Sequence, residues 1–164
     1  MAKRAPAGTS PRKKTRRKKR KSEKEIQALL QVRPSIVRRR SKISGWGVYA
    51  GQAIEKGTVI VEYKGELVTQ AEAWDREQRY LPKGRIWLFT ISGTWARDAA
   101  VGGNVARYVN HSCTPNCYSD VFGKTIVIIA RRRLEKGEEL TYNYNTDGIA
   151  RIRCLCRPGC KTIL

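Results

Sequence analysis

Residues 106–117 read Ala106-Arg107-Tyr108-Val109-Asn110-His111-Ser112-Cys113-Thr114-Pro115-Asn116-Cys117, and they hold the only histidine of the chain. An amide and an imidazole side by side bring several donors and acceptors to one point among apolar neighbours, and such groups need partners when buried. Read alone, the pair is either a general acid/base centre or a structural histidine with satisfied hydrogen bonds. Two residues on, Cys113 adds a thiol to the same segment.

Two further segments stand out on either side. Upstream lies Ser44-Gly45-Trp46-Gly47-Val48-Tyr49-Ala50. Its two glycines permit unusual dihedrals and close backbone approach, which a turn needs if its amides and carbonyls are to grip a ligand. A lone G-x-G is also an ordinary turn. Downstream, Gly137-Glu138-Glu139-Leu140-Thr141-Tyr142-Asn143-Tyr144 ends on two tyrosines one residue apart.

Around these segments, short apolar runs alternate with Gly-containing turns. Residues 35–39, 47–50, 58–63, 85–91 and 124–130 predict strands of a small, mainly β domain. Residues 69–80 carry Ala71, Ala73 and Trp74 among charged side chains without Gly or Pro, and predict an inserted amphipathic helix. Ser22-Glu23-Lys24-Glu25 has the capping-box pattern ahead of Ile26, Leu29 and Leu30, predicting a short helix that Pro34 ends. Residues 135–138 form a turn, and no internal repeat is present.

Charge is unevenly spread over the 164 residues. Of the formal +20, the first 42 residues carry +15 and the remaining 122 only +5. Residues 1–21 are Lys, Arg, Pro, Gly and Ser with almost nothing apolar, so they cannot offset the entropy of ordering and are predicted to be disordered when free. The basic residues up to Lys42 suit a polyanionic partner, nucleic acid or nucleosome, or a localisation signal. No run approaches the roughly 18 apolar residues of a membrane span, and the polar start lacks a signal-peptide core, which predicts an intracellular soluble protein without a membrane partner. All five cysteines lie from Cys113 onward, three within Cys154-Leu155-Cys156-Arg157-Pro158-Gly159-Cys160, a crowding that favours metal thiolates over disulfides.

Taken together and in this order, the three segments resemble the SET domain of protein-lysine methyltransferases, and the cysteine-rich tail resembles the post-SET module that follows it in many members. The resemblance runs from about Ser35 to Leu164. It implies a mainly β (β+α) fold of small sheets with a pseudoknot-like core, an inserted helix and a C-terminal Zn-binding tail. The chain then divides into a basic arm with a short helix at 1–34, a SET domain at 35–147 and a post-SET module at 148–164.

The same resemblance implies an S-adenosylmethionine-dependent lysine N-methyltransferase. Ser44, Gly45, Trp46, Trp87, Asn110 and His111 become cofactor contacts, which removes the acid/base role for His111. Tyr144 matches the family's catalytic tyrosine, and Tyr142 the position that controls how many methyl groups are added. A tyrosine there implies mainly mono- or dimethylation, and Tyr142→Phe should move products upward. Tyr63 and Phe89 are candidates for the wall of the lysine channel, or else core aromatics. Arg107, Asp98 and Asn104 are read as structural supports.

Cys113, Cys154, Cys156 and Cys160 become the ligands of a closed structural Zn site. The tail departs from the family pattern in one respect, since its last gap is three residues long where four are usual. Cys117 is the spare cysteine, in the core or at the surface, or a substitute ligand if the short gap misplaces Cys160. The implied substrate is a histone or another basic chromosomal protein, at chromatin in a nucleus or in a bacterial cytoplasm and nucleoid. The arm itself resembles a histone tail in composition, so its own lysines are candidate acceptors. The rival reading is a DNA- or chromatin-binding protein whose SET fold does not catalyse.

Overall fold

Serine at the start of an apolar-periodic run fixes the first helix, α1 (Glu23–Gln31). The Ser22 side chain accepts from the Glu25 amide and the Glu25 carboxylate accepts from the Ser22 amide, closing both halves of the predicted capping box. A computed structural model describes residues 21–146 and 151–164 of the chain. The predicted disorder of the arm falls on residues outside these, apart from Lys21.

Ten strands follow in four small sheets. β1 (Ile36–Arg40) and β2 (Trp46–Ala50) form an antiparallel hairpin. β3 (Val59–Glu62) pairs with β9 (Thr125–Ala130), whose other edge carries β8 (Cys117–Phe122). β4 (Glu66–Thr69) and β5 (Leu88–Thr90) flank β6 (Trp95–Asp98). The fourth sheet is the two-residue parallel pair of β7 (Asn110–His111) and β10 (Thr141–Tyr142). The second helix, α2 (Gln70–Tyr80), lies between β4 and β5, as the inserted helix was predicted to.

The run Thr-Ile-Val-Ile-Ile-Ala of β9 is buried at every position, because both of its faces are covered. Ile126, Ile128 and Ala130 join the main core with Val48, Ile60, Val61 and Leu140. Val127 and Ile129 turn the other way, onto Ile26 of α1 together with Val59 and Phe122. Fully burying Ile26 contributes about 2 kcal/mol of hydrophobic free energy, so α1 is a layer of the domain.

Asp98 is fully buried yet satisfied. Its Oδ2 accepts from Arg76 Nη1 at 2.7 Å and from the Tyr80 hydroxyl at 2.9 Å, and its Oδ1 accepts from the Ala100 amide at 2.8 Å. Arg76 and Tyr80 belong to α2, so one carboxylate bolts the inserted helix to β6. Asn104 links its neighbours similarly, donating to the Glu62 carbonyl at 2.8 Å, and Arg107 donates to the Ala99 carbonyl at 3.1 Å. These are the supports anticipated for all three residues.

The strands differ from the sequence reading in instructive places. The predicted run 85–91 pairs only over Leu88–Thr90, and β4, β6 and β8 were not predicted. β6 hid because its alternation includes Asp98, a charged residue facing inward.

Candidate functional site

The short pair β7/β10 sets two segments side by side that lie thirty residues apart in sequence. Thr141 is in register with Asn110 and Tyr142 with His111, and the Ser112 amide donates to the Tyr142 carbonyl at 3.2 Å. Asn116 reinforces the pair, with Thr141 donating to its Oδ1 at 2.9 Å. The segments 106–117 and 137–144 singled out in the sequence are therefore hydrogen-bonded to each other.

Asn110 is held by groups from all sides. Its Nδ2 donates to the Trp46 carbonyl at 3.0 Å and to Glu139 Oε1 at 2.8 Å. Glu139 also accepts from the Ser41 hydroxyl at 2.8 Å and the Tyr49 hydroxyl at 2.9 Å. Gly47 is needed beside this carboxylate, because a Cβ there would stand 2.3 Å from Glu139 Oε1. Gly45, with φ of +45°, turns the chain in the left-handed region. Glu139 had no assigned role in the sequence reading, although it lies inside the quoted segment 137–144.

His111 is engaged inside the chain through both ring nitrogens. Its Nδ1 accepts from the Tyr144 amide at 3.2 Å, and Nε2 lies 3.4 Å from Cys113 Sγ. Burial lowers its pKa, so the ring is neutral at physiological pH. It is placed as a girder between Tyr144 and the cysteines.

Two cavities meet at Tyr144. The first, about 450 Å³, is lined by Ser44, Gly45, Trp46, Trp87, Asn110 and His111, which are the six residues anticipated as cofactor contacts. Tyr108 and three arginines, Arg85, Arg107 and Arg153, complete much of its wall. Arg107 keeps a buried Nε without a partner among the described residues. The second cavity, a groove of about 590 Å³, is lined by Trp74 of α2, Phe89, Tyr142 and the β8 residues Ser119 to Val121. Only Tyr144 and Ile86 line both. Ile86 carried no signal in the sequence.

Four aromatic rings make a contiguous series of contacts ending at Tyr144. Tyr142 and Tyr144 have ring centroids 4.9 Å apart, Phe89 stacks on Tyr142 at 6.2 Å, and Tyr63 tilts against Phe89 at 5.4 Å. Tyr63 is almost fully buried and donates to the Trp87 carbonyl at 2.9 Å. It stands behind Phe89, absent from the residues that line either cavity. Tyr144 donates to the Val109 carbonyl at 2.9 Å. Burial pushes the hydroxyl pKa of both Tyr142 and Tyr144 well up, so neither ionises near neutrality.

Beside the first cavity, Cys113, Cys154, Cys156 and Cys160 bring all four sulfurs within 4.8 Å of one another. Cys113 Sγ is 3.7 Å from Cys160 Sγ and 3.9 Å from Cys154 Sγ. A tetrahedral Zn with Zn–S bonds of ~2.3 Å requires sulfurs about 3.8 Å apart. The short last gap closes as a turn, with the Cys160 amide donating to the Arg157 carbonyl at 3.2 Å and Gly159 at φ +71°. Proline second and glycine third are the residues such a turn favours. Hydrogen bonds to Thr162 pull the Cys160 thiol down to about 6, while burial pushes Cys154 up to about 12. A divalent cation bound by these sulfurs would favour the thiolate form. Cys117 is elsewhere: fully buried in β8, with its thiol pushed up to about 12 by burial.

Comparison with known proteins places this geometry. The SET domain family model matches residues 45–145. The chain is 45% identical over 136 residues to "Histone-lysine N-methyltransferase, H3 lysine-4 specific" of Emericella nidulans, covering 76% of this chain and 11% of that protein. It is 39% identical over 138 residues to "Histone-lysine N-methyltransferase trr" of Drosophila melanogaster, covering 79% of this chain and 6% of that one. The chain therefore spans only about a tenth of the length of such relatives. Among solved structures, a chain of ctPRC2 in an autoinhibited conformation bound to S-adenosylmethionine superimposes with a TM-score of 0.64 at 31% identity, covering 69% of this chain and 15% of that chain.

Proposed function

The chain belongs to the SET domain family, and from that premise we propose that it is an S-adenosylmethionine-dependent protein-lysine N-methyltransferase acting on a histone or another basic chromosomal protein. One observation carries the reading: a donor-sized cavity and a peptide-sized groove share a wall at Tyr144. Methyl transfer from a small cofactor to a protein side chain needs two entrances and one meeting point.

The residues of the first cavity fit S-adenosylmethionine. Arg85, Arg107 and Arg153 put positive charge beside the cofactor's carboxylate, and the loop 44–46 offers backbone groups. Bound there, the cofactor supplies an electrophilic methyl group on a sulfonium. The chain's part is to present a neutral amine in line with it. A lysine in water has a pKa near ~10.4, and a channel walled by Phe89, Tyr142 and Tyr144 disfavours the charged form. Both tyrosines stay neutral, so each keeps a hydroxyl that can hold the amine. Tyr144 is pinned by the hydrogen bond its hydroxyl donates to the Val109 carbonyl and by the one its backbone N–H donates to His111 Nδ1, which fixes its orientation before substrate arrives. His111 has no nitrogen to spare, so the proton leaves the lysine for solvent.

The mono- or dimethylating outcome rests on Tyr142, whose hydroxyl occupies room that a further methyl group needs. Cys113, Cys154, Cys156 and Cys160 would hold a structural Zn, which would tie down the tail whose Cys154 and Leu155 line the first cavity. Work at chromatin in a nucleus fits the histone-directed relatives and the basic residues 1–42, three of which, Arg38 to Arg40, lie exposed on β1. No described helix is long and apolar enough to cross a membrane.

The test is incubation with methyl-labelled S-adenosylmethionine and a panel of purified histones, with Tyr144→Phe as control. Label on a histone lysine that is lost in the variant supports the assignment. Background labelling by a folded, Zn-loaded wild type, with salt-sensitive DNA binding intact, would instead make this a non-catalytic chromatin protein.

A further inference from the structure

Two stretches of the chain hold cations and no acidic side chain. Residues 33–54 contain five Lys and Arg and residues 151–164 contain four, with neither Asp nor Glu in either. The fold brings the two stretches together. Lys42 and Ile43, between β1 and β2, line a depression of about 500 Å³ with Arg153, Arg157 and the cysteine-rich tail around them. Lys42, Arg153 and Arg157 are exposed, and none has a carboxylate partner among the described residues. Arg76, Arg132 and Arg133, on other parts of the surface, are each paired with carboxylates.

The hairpin extends this unpaired charge. Arg38 and Arg40 share one side of β1, and their guanidinium groups lie 4.6 Å and 4.3 Å from the centre of the Trp46 ring. Stacking on the indole pre-arranges two long side chains, which reduces the rotamer freedom they lose on binding a partner. Like charges gathered without counter-charges repel one another, and a polyanion relieves that repulsion. Duplex DNA, with one negative charge per ~1.7 Å of its axis, is such a partner. A single strand would need open aromatic faces on which to stack its bases. Trp46, the exposed ring here, already carries the two arginines.

We propose that Arg38, Arg40, Lys42 and Arg157 form a docking face for the phosphate backbone of duplex DNA, built jointly by the β1–β2 hairpin and the cysteine-rich tail and blind to base sequence. The face adds the tail to the basic residues 1–42 and stands independently of methyl transfer. None of the four residues lines the cofactor cavity or the groove, so a duplex held by them need not cover either. Contact made through phosphates alone is strongly salt-dependent, because each neutralised phosphate releases a counterion.

The experiment titrates the full Zn-loaded chain into a short fluorescent DNA duplex between about 50 and 200 mM salt and reads anisotropy. Two double variants carry the same change of charge: Lys42→Glu, Arg157→Glu on the face, and Lys24→Glu, Lys56→Glu on and beside α1. The face variant should bind at least about 10-fold more weakly than the α1 variant, and its plot of log affinity against log salt should be shallower than that of wild type by about two. If charge reversal prevents cooperative melting, Lys42→Gln, Arg157→Gln is read by the same change of slope. Equal losses in the two variants, or a wild-type slope in the face variant, would overturn the inference, since DNA would then be held by net charge and the arm. A face variant that keeps its duplex affinity and loses binding to poly-glutamate would overturn it in favour of an acidic protein.

Discussion

The aromatic wall and the cysteine cluster touch the same cavity and are built on opposite principles. Tyr63, Phe89, Tyr142 and Tyr144 hold one another, and their hydroxyls at Tyr63 and Tyr144 are tied to the carbonyls of Trp87 and Val109. That wall is complete as protein. The four sulfurs are gathered just as closely, yet Cys154 resists ionising and the tail residues 151–164 have a modest core of their own, Cys154, Cys160 and Leu164. The difference separates an aromatic wall that protein contacts complete from a tail gathered around four sulfurs that could hold a cation.

The largest effect that exposes this difference is metal removal. Structural Zn sites contribute about 10–16 kcal/mol. Chelation, or Cys160→Ser, should release residues 151–164, seen as fast amide hydrogen exchange confined there, and reduce methyl transfer to background. The aromatic wall should survive, with exchange in β9 and β10 unchanged. Simultaneous loss of protection in β9 would show that the two regions are one cooperative unit, which breaks the contrast.

Tyr144→Phe is the converse. It removes one hydroxyl and its bond to Val109, costing about 1 kcal/mol of stability, while kcat should fall by about 100-fold or more because a positioned polar group at the reacting centre is gone. Bound Zn should stay at one per chain. A variant that loses Zn as well would tie the tyrosine to the cysteine cluster through His111, which bridges them.

How much of this was legible in the sequence follows the same division. The three motif segments and the four clustered cysteines could be read because their residue types carry the chemistry themselves. The capping box of α1 and the helix 70–80 could be read because local hydrogen bonding and periodicity suffice to make them. Strands β4, β6 and β8 could not, since Asp98 inside β6 and Ser119 and Asp120 within β8 break the apolar alternation, and their partners come from distant segments. Glu139 was in view but silent: its role appears only when Ser41, Tyr49 and Asn110 converge on it. The place of Ile86 on both cavities is likewise a product of tertiary placement. Tyr63 was open between the channel wall and the core by residue type alone, and it lies buried one layer behind Phe89.

A smaller effect sharpens the picture of the wall. Tyr142→Phe keeps the ring on Phe89 and Tyr144 and frees the space of one hydroxyl, so turnover should change less than 10-fold while the product distribution moves toward di- and trimethyl-lysine. Mass spectrometry of a histone peptide reads this directly. A wild type that already trimethylates would remove the argument from Tyr142.

The smallest expected effect belongs to the fifth cysteine, and it separates two ways of silencing a thiol. Cys117 is buried in the main core and its pKa is pushed up to about 12, so at pH 9 it remains a protonated thiol in the folded chain. Raising a thiol's pKa lowers its thiolate fraction at any given pH below that value, and the thiolate is what alkylates. Iodoacetamide at pH 9 should therefore leave all five cysteines of the Zn-loaded protein unmodified, four shielded by the cation and one by burial. After chelation four should react and Cys117 should not. Cys117→Ala should cost about 1 kcal/mol, the loss of one buried sulfur's contacts, with no change in Zn stoichiometry. Alkylation of Cys117 along with the other four upon chelation would mean that the tail and the core open together.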